Sequence, residues 1–114
     1  MPATIRQIRR IALNLPGVTE GECHGTAAFY VRRRLMLRLR DDNRTLVVRS
    51  PIASRAELIR SEPEVFFVTD HYLNYAAVLV NLANATEARL KEIIVDAWRR
   101  LASQKQTAAF EEEQ

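Results

Sequence analysis

The residues best suited to nucleophilic attack or proton transfer are few: one cysteine, Cys23, and two histidines, His24 and His71. A cysteine attacks as its thiolate, and a nearby imidazole can take the proton. Working pairs usually come from distant parts of a chain, so His71 is a better partner for Cys23 than its neighbour His24. Nothing flanking Cys23 matches a cysteine-hydrolase signature. As metal ligands the three supply at most a partial set without the paired spacing of zinc sites. Three glycines in 114 residues leave no glycine-rich phosphate loop. The sequence thus predicts no catalytic residue, no metal and no cofactor, and an enzyme built on Cys23 and His71 ranks last among its readings.

Two other groups can bind rather than react. His71, Tyr72 and Tyr75 fall within one polar-aromatic segment and, with His24, form a candidate surface for a small ligand or a protein partner. The plainer alternative is a loop histidine satisfied by a carbonyl, with two tyrosines capping a sheet. The second group is basic. Arg32, Arg33 and Arg34 mark a predicted hairpin, with Arg38 and Arg40 on the wet face beyond it, and Arg6, Arg9 and Arg10 share one side of a first helix. Such arginines can sit on phosphates as a DNA-contacting wing. Tyr30 and Arg32 are expected to point the same way, where a ring and a guanidinium can pair. The plainer alternative is a charged, solvated strand face that resists aggregation.

The elements that must carry these residues follow from periodicity. Thr4 and Gln7 have capping-box spacing, and Ile5, Ile8, Ile11, Ala12 and Leu15 then recur as a helical core face until Pro16-Gly17. The segment 18–26, with Gly21 and Gly25, reads as a loop. From Ala27 to Arg49 the period becomes two, which predicts three strands in an antiparallel meander, with Met36 on the wet face and a turn near Arg33-Arg34. Ser54 and Glu57 mark a short second helix ended by Pro63. Strands follow at 65–68 and 77–82. Asn84 and Glu87 suggest the cap of a long helix lined by Leu90, Ile93, Ile94, Ala97, Trp98 and Leu101. Residues 103–114 read as a polar, acidic tail, frayed or disordered. The predicted order is α-β-β-β-α-β-β-α, an α+β fold of about five antiparallel strands with helices on one face.

Size and composition fit a single domain over residues 1–102. The 17 basic residues, 15 of them Arg, exceed the 14 acidic ones. Setting aside Glu111, Glu112 and Glu113, residues 1–110 carry a net +6, enough to attract polyanions such as DNA. A GC-rich genome would give the same Arg bias. A lone cysteine excludes an internal disulfide and suggests a reducing compartment, and no apolar run approaches the length of a membrane span. The expected location is cytoplasmic, with no membrane partner; oligomeric state cannot be read from these features.

Several motifs together resemble the MmcQ/YjbR family. They are Leu15-Pro16-Gly17-Val18, then His24-Gly25-Thr26, Phe29 and Val31-Arg32 before a Leu-rich strand, then Phe66-Phe67-Val68-Thr69-Asp70-His71-Tyr72, Val78-Leu79-Val80 and Asp96-Ala97-Trp98. The resemblance covers roughly residues 5–102. It implies a CyaY-like two-layer α/β sandwich and a DNA-binding role that rests on likeness to double-wing modules; it supplies no catalytic residues. The chain departs from many relatives at three places. Arg33 stands where they have Gly in the first hairpin turn, so the turn is longer or strained. Asp70 replaces a frequent Pro, and Ala76-Ala77 a frequent Pro-Trp. The frataxin-like analogy associates iron handling with an acidic first helix; here that helix is basic, which disfavours oxygen-rich metal binding.

Overall fold

A computed structural model describes residues 4–112. Residues 1–3 of the expected domain and 113–114 of the expected tail lie outside the described residues. The fold is α+β, an antiparallel sheet of six strands with four α-helices.

Helix α1 (Ile5–Leu13) starts at the expected capping box: the Thr4 hydroxyl accepts from the Gln7 amide, and the Gln7 side chain accepts from the Thr4 amide at 2.9 Å. Strands β1 (Val18–Cys23), β2 (Thr26–Val31), β3 (Arg34–Leu39) and β4 (Thr45–Arg49) follow as a continuous meander. After helix α2 (Ile52–Ser61) come the short strand β5 (Phe66–Phe67) and β6 (Ala77–Asn81), giving the order β1-β2-β3-β4-β6-β5. Helix α3 (Glu87–Leu101) and helix α4 (Gln104–Glu112) end the described chain.

The additions to the expected order have physical reasons. Strand β1, read from sequence as loop, is an edge strand with four polar or glycine residues in its run of six, so hydrophobic alternation hardly marks it. Where the polar composition suggested a frayed tail, α4 forms and buries Phe110, whose ring lies 5.1 Å from that of Trp98. Met36 is fully buried instead of wet. A bulge opposite Phe29 and Tyr30 inserts one extra residue into β3, which breaks the strict alternation. Pro51, not Ser54, precedes the first residue of α2, and Thr86, not Asn84, caps α3 by accepting from the Arg89 amide at 3.1 Å.

The two faces of the sheet differ. On one, Phe29, Leu37, Leu46, Val48, Val78 and Val80 meet α1 and α3, whose predicted apolar stripe from Leu90 to Leu101 is buried throughout. The Trp98 indole donates to the Pro16 carbonyl at 2.9 Å, tying α3 to the end of α1. On the other face a smaller cluster of Val47, Ala77 and Leu79 packs with Phe67 and Tyr72. Among the described residues, Phe67 of β5 and Tyr72 of the segment between β5 and β6 cover part of that face, which is called the open face below.

Candidate functional site

The open face becomes a site because α2 reaches over and fixes the crossing segment. Arg55 is buried, and one of its terminal amino groups donates to the carbonyls of Tyr72 (3.0 Å), Tyr75 (2.8 Å) and Ala77 (3.0 Å). The other donates to the Leu73 carbonyl. A desolvated guanidinium is tolerable only when its donors are met, and here four carbonyls meet them. The chain from 72 to 77 is thereby wrapped around a cation. Nothing in the periodicity singled out Arg55; in sequence it is one more arginine on a weakly amphipathic helix.

This wrapping holds His71, Tyr72 and Tyr75 as a cluster. The His71 ring meets Tyr72 edge-on at 4.9 Å and Tyr75 at 5.9 Å, and the two tyrosines lie 6.1 Å apart. The Tyr72 hydroxyl accepts from Arg38 at 3.0 Å, and Arg40 lies 6.0 Å over the Tyr72 ring. Beneath the cluster is a cavity of 440 Å³, floored by Leu35 and Val47 and flanked by Arg38 and Arg49. Cys23 and His24 stand at its other side, so the four residues expected to form a ligand or partner surface share one cavity.

His24 reaches that position through the turn between β1 and β2. Cys23 pairs with Thr26, which leaves His24-Gly25 as a two-residue loop with φ of 54° and 79°. Positive φ at both centres is the type I′ geometry that matches strand twist. Cys23 is a half-buried free thiol in the same cavity as His71, yet none of the side-chain hydrogen bonds among the described residues joins it to either histidine. Among the described residues, no three His, Cys, Asp or Glu side chains are grouped to hold a metal ion.

The basic candidates separate into three places. Val31 pairs with Arg34, so the turn between β2 and β3 is Arg32-Arg33 and not Arg33-Arg34. Both residues have positive φ, 54° and 67°, so the departure at Arg33 is accommodated by left-handed backbone rather than by a longer turn. All three hairpin arginines are exposed, and Arg32 also donates to the Leu101 carbonyl at 3.3 Å, at the end of α3. Among the described residues Arg32 makes no cation–π contact with Tyr30; it sits in the left-handed turn, and the Tyr30 hydroxyl donates to the Glu22 carbonyl at 3.0 Å. Arg38 and Arg40 belong to the open face with Tyr72, at the far end of β3 from the hairpin tip. On α1, Arg9 grips Glu20 through two bonds of 2.8 Å, which holds the Glu20 carboxyl below its usual range, and Arg10 pairs with Glu87. Arg6 is exposed. The helix patch is therefore largely neutralised by the protein's own acids.

A family model described as YjbR matches residues 13–100. The chain belongs to the YjbR family. Two curated relatives, the uncharacterized proteins Rv2570 of Mycobacterium tuberculosis and Mb2600 of Mycobacterium bovis, are each 43% identical over 53 residues. That stretch is 46% of this chain and 41% of each relative, so less than half the length of these relatives is matched. The crystal structure of Deinococcus radiodurans protein DR2400, which carries a DUF419 domain, superposes with a TM-score of 0.72. It covers 93% of this chain and 86% of that one at 17% identity, a likeness of fold alone. As a YjbR member the chain keeps its cavity and its hairpin inside the family match, whereas α4 lies beyond it. No helix among the described residues is long and apolar enough to cross a membrane.

Proposed function

We propose that this YjbR protein is a non-catalytic binding module whose β2–β3 hairpin tip contacts the phosphates of DNA without choosing sequence. One observation carries the reading: both centres of the Arg32-Arg33 turn are arginines in left-handed backbone. That conformation costs a residue with a Cβ about 1–2 kcal/mol, which Gly, and often Asn, largely avoids. The neighbouring I′ turn, His24-Gly25, places a glycine at its second centre. Strain kept at an exposed tip points to a use for the side chains there. Arg34 continues the tip, and none of the three is in an ion pair among the described residues, in contrast to Arg9, Arg10, Arg99 and Arg100. The double-wing likeness implied by the family resemblance supports the same reading.

The contact is small. With the α1 patch neutralised and Arg38 and Arg40 turned to the open face, about two or three phosphates are met, which means weak, strongly salt-dependent binding. The test is fluorescence anisotropy of a labelled mixed-sequence duplex titrated at several salt concentrations. The expected result is binding whose log–log salt slope flattens by about two when Arg33 and Arg34 become Gln. Absence of binding at low salt, or an unchanged slope in that variant, would refute it.

A further inference from the structure

The cavity on the open face uses different residues from the hairpin tip and needs its own explanation. Among the described residues, its lining includes two guanidinium groups, Arg38 and Arg49, and no carboxylate. Neither arginine is in an ion pair among the described residues, while the partly covered Arg89 is matched to Glu62. Instead, neutral acceptors hold them in place. Arg38 donates to the Tyr72 hydroxyl at 3.0 Å and to the Thr26 hydroxyl at 3.3 Å. Arg49 donates from Nε to the Leu35 carbonyl at 2.8 Å, which leaves its two terminal amino groups for another partner. The cavity is thus lined by two positive charges held by neutral acceptors and, among the described residues, in no ion pair. An anion entering it displaces no carboxylate, and charge-assisted bonds in a half-enclosed space are stronger than in open water.

The remaining walls narrow the choice of anion. Leu35, Val47 and Ala77 make an apolar floor that free phosphate would leave uncovered. The cluster of His71, Tyr72 and Tyr75 offers ring faces and edges, and Tyr75 stays 58% exposed although Arg55 pins its backbone. A volume of 440 Å³ accepts a group of one or two fused rings. We propose that the cavity binds a small aryl carboxylate, with the carboxylate on Arg49 and Arg38 and the ring between the apolar floor and the tyrosines.

Calorimetric titration of the full chain with 2-naphthoate, its uncharged amide 2-naphthamide, cyclohexanecarboxylate and inorganic phosphate tests this. The expected order places 2-naphthoate about tenfold or more tighter than each of the others, an advantage of about 1.4 kcal/mol. Arg49→Gln should weaken 2-naphthoate about tenfold. Tyr75→Ala, at an exposed side chain that leaves the Arg55 bonds in place, should weaken it several-fold while circular dichroism stays unchanged. Amide shifts on titration should centre on residues 35–38, 47–49 and 71–77. Binding of the amide or phosphate as tight as that of 2-naphthoate overturns the proposal. So does an unchanged affinity in a folded Arg49→Gln chain, or shifts centred elsewhere.

Discussion

The Arg55 guanidinium donates to the carbonyl of Tyr75 at 2.8 Å, across twenty residues of sequence, and through that bond α2 governs the shape of the open face. The same amino group reaches Tyr72 and Ala77, so one side chain positions the aromatic cluster and the first residue of β6 together. Arg55→Leu would remove a donor from four carbonyls, of which those of Tyr72 and Tyr75 keep a backbone amide partner. The expected loss is about 2–4 kcal/mol by urea denaturation, with amide exchange accelerated first between 70 and 77. Arg55→Lys should restore little, because a single ammonium cannot copy the planar fork. Equal stability of Arg55→Leu and the parent would remove Arg55 from this role.

Replacing Arg32-Arg33 by Asn-Gly installs the pair that a type I′ turn favours. The gain in backbone fit should exceed the lost bond from Arg32 to the Leu101 carbonyl. Net stabilisation of roughly 0.5–1 kcal/mol would raise Tm by several degrees in thermal unfolding. A lower Tm would show that the arginines are held by contacts and not strained at the tip.

Asp42 fastens the turn between β3 and β4. Its carboxylate accepts from the amides of Arg44 at 2.9 Å and Thr45 at 3.0 Å and from the Thr45 hydroxyl, while Asn43 supplies the positive φ. The backbone bond from Arg44 leads in holding the Asp42 carboxyl below its ordinary value. The folded chain thus prefers the ionised form. Its contribution is complete above the unfolded-chain pKa of about 3.9 and fades as pH falls through the lower folded value. Urea midpoints should therefore drop between about pH 5 and about pH 2, and Asp42→Asn should make that drop shallower. An identical acid profile in the variant would refute the assignment.

Phe110→Ala should release α4 without unfolding the sheet. The ring packs on Trp98, and Arg99 lies 5.2 Å over it while pairing with Glu111 at 2.7 Å. Truncating a buried Phe costs about 3–5 kcal/mol where neighbours cannot follow, but a terminal helix can detach locally instead. Trp98 is the single tryptophan, so its emission should shift to the red, with fast amide exchange confined to 104–112. An unshifted spectrum would mean that α4 does not depend on this contact.

Elements with strong periodicity were legible in the sequence: α1 with its Thr4–Gln7 cap, β4, and all six core positions of α3. What escaped detection depends on neighbours distant in sequence. The bulge that buries Met36 arises from pairing with β2, and β1 is held by its ladder to β2 rather than by its own composition. The only apolar signal for α4 was Phe110 with two alanines, too little to predict a helix. The site was half visible. His24, His71, Tyr72 and Tyr75 stood out by type, and their meeting at one cavity did not. Arg49 and Arg55 looked like ordinary arginines because what distinguishes them is the backbone carbonyls they reach, a property of packing.

The sheet order also bears on how the molecule tolerates crowding by its own copies. One border is the two-residue β5, which offers almost no ladder to a neighbour. The other is β1, where Glu20 and Glu22 lie on the free border strand. Two such strands approaching antiparallel would bring like charges together, and the approach would also have to disturb the grip of Arg9 on Glu20. Both borders are thus poor templates for lateral growth into fibrils.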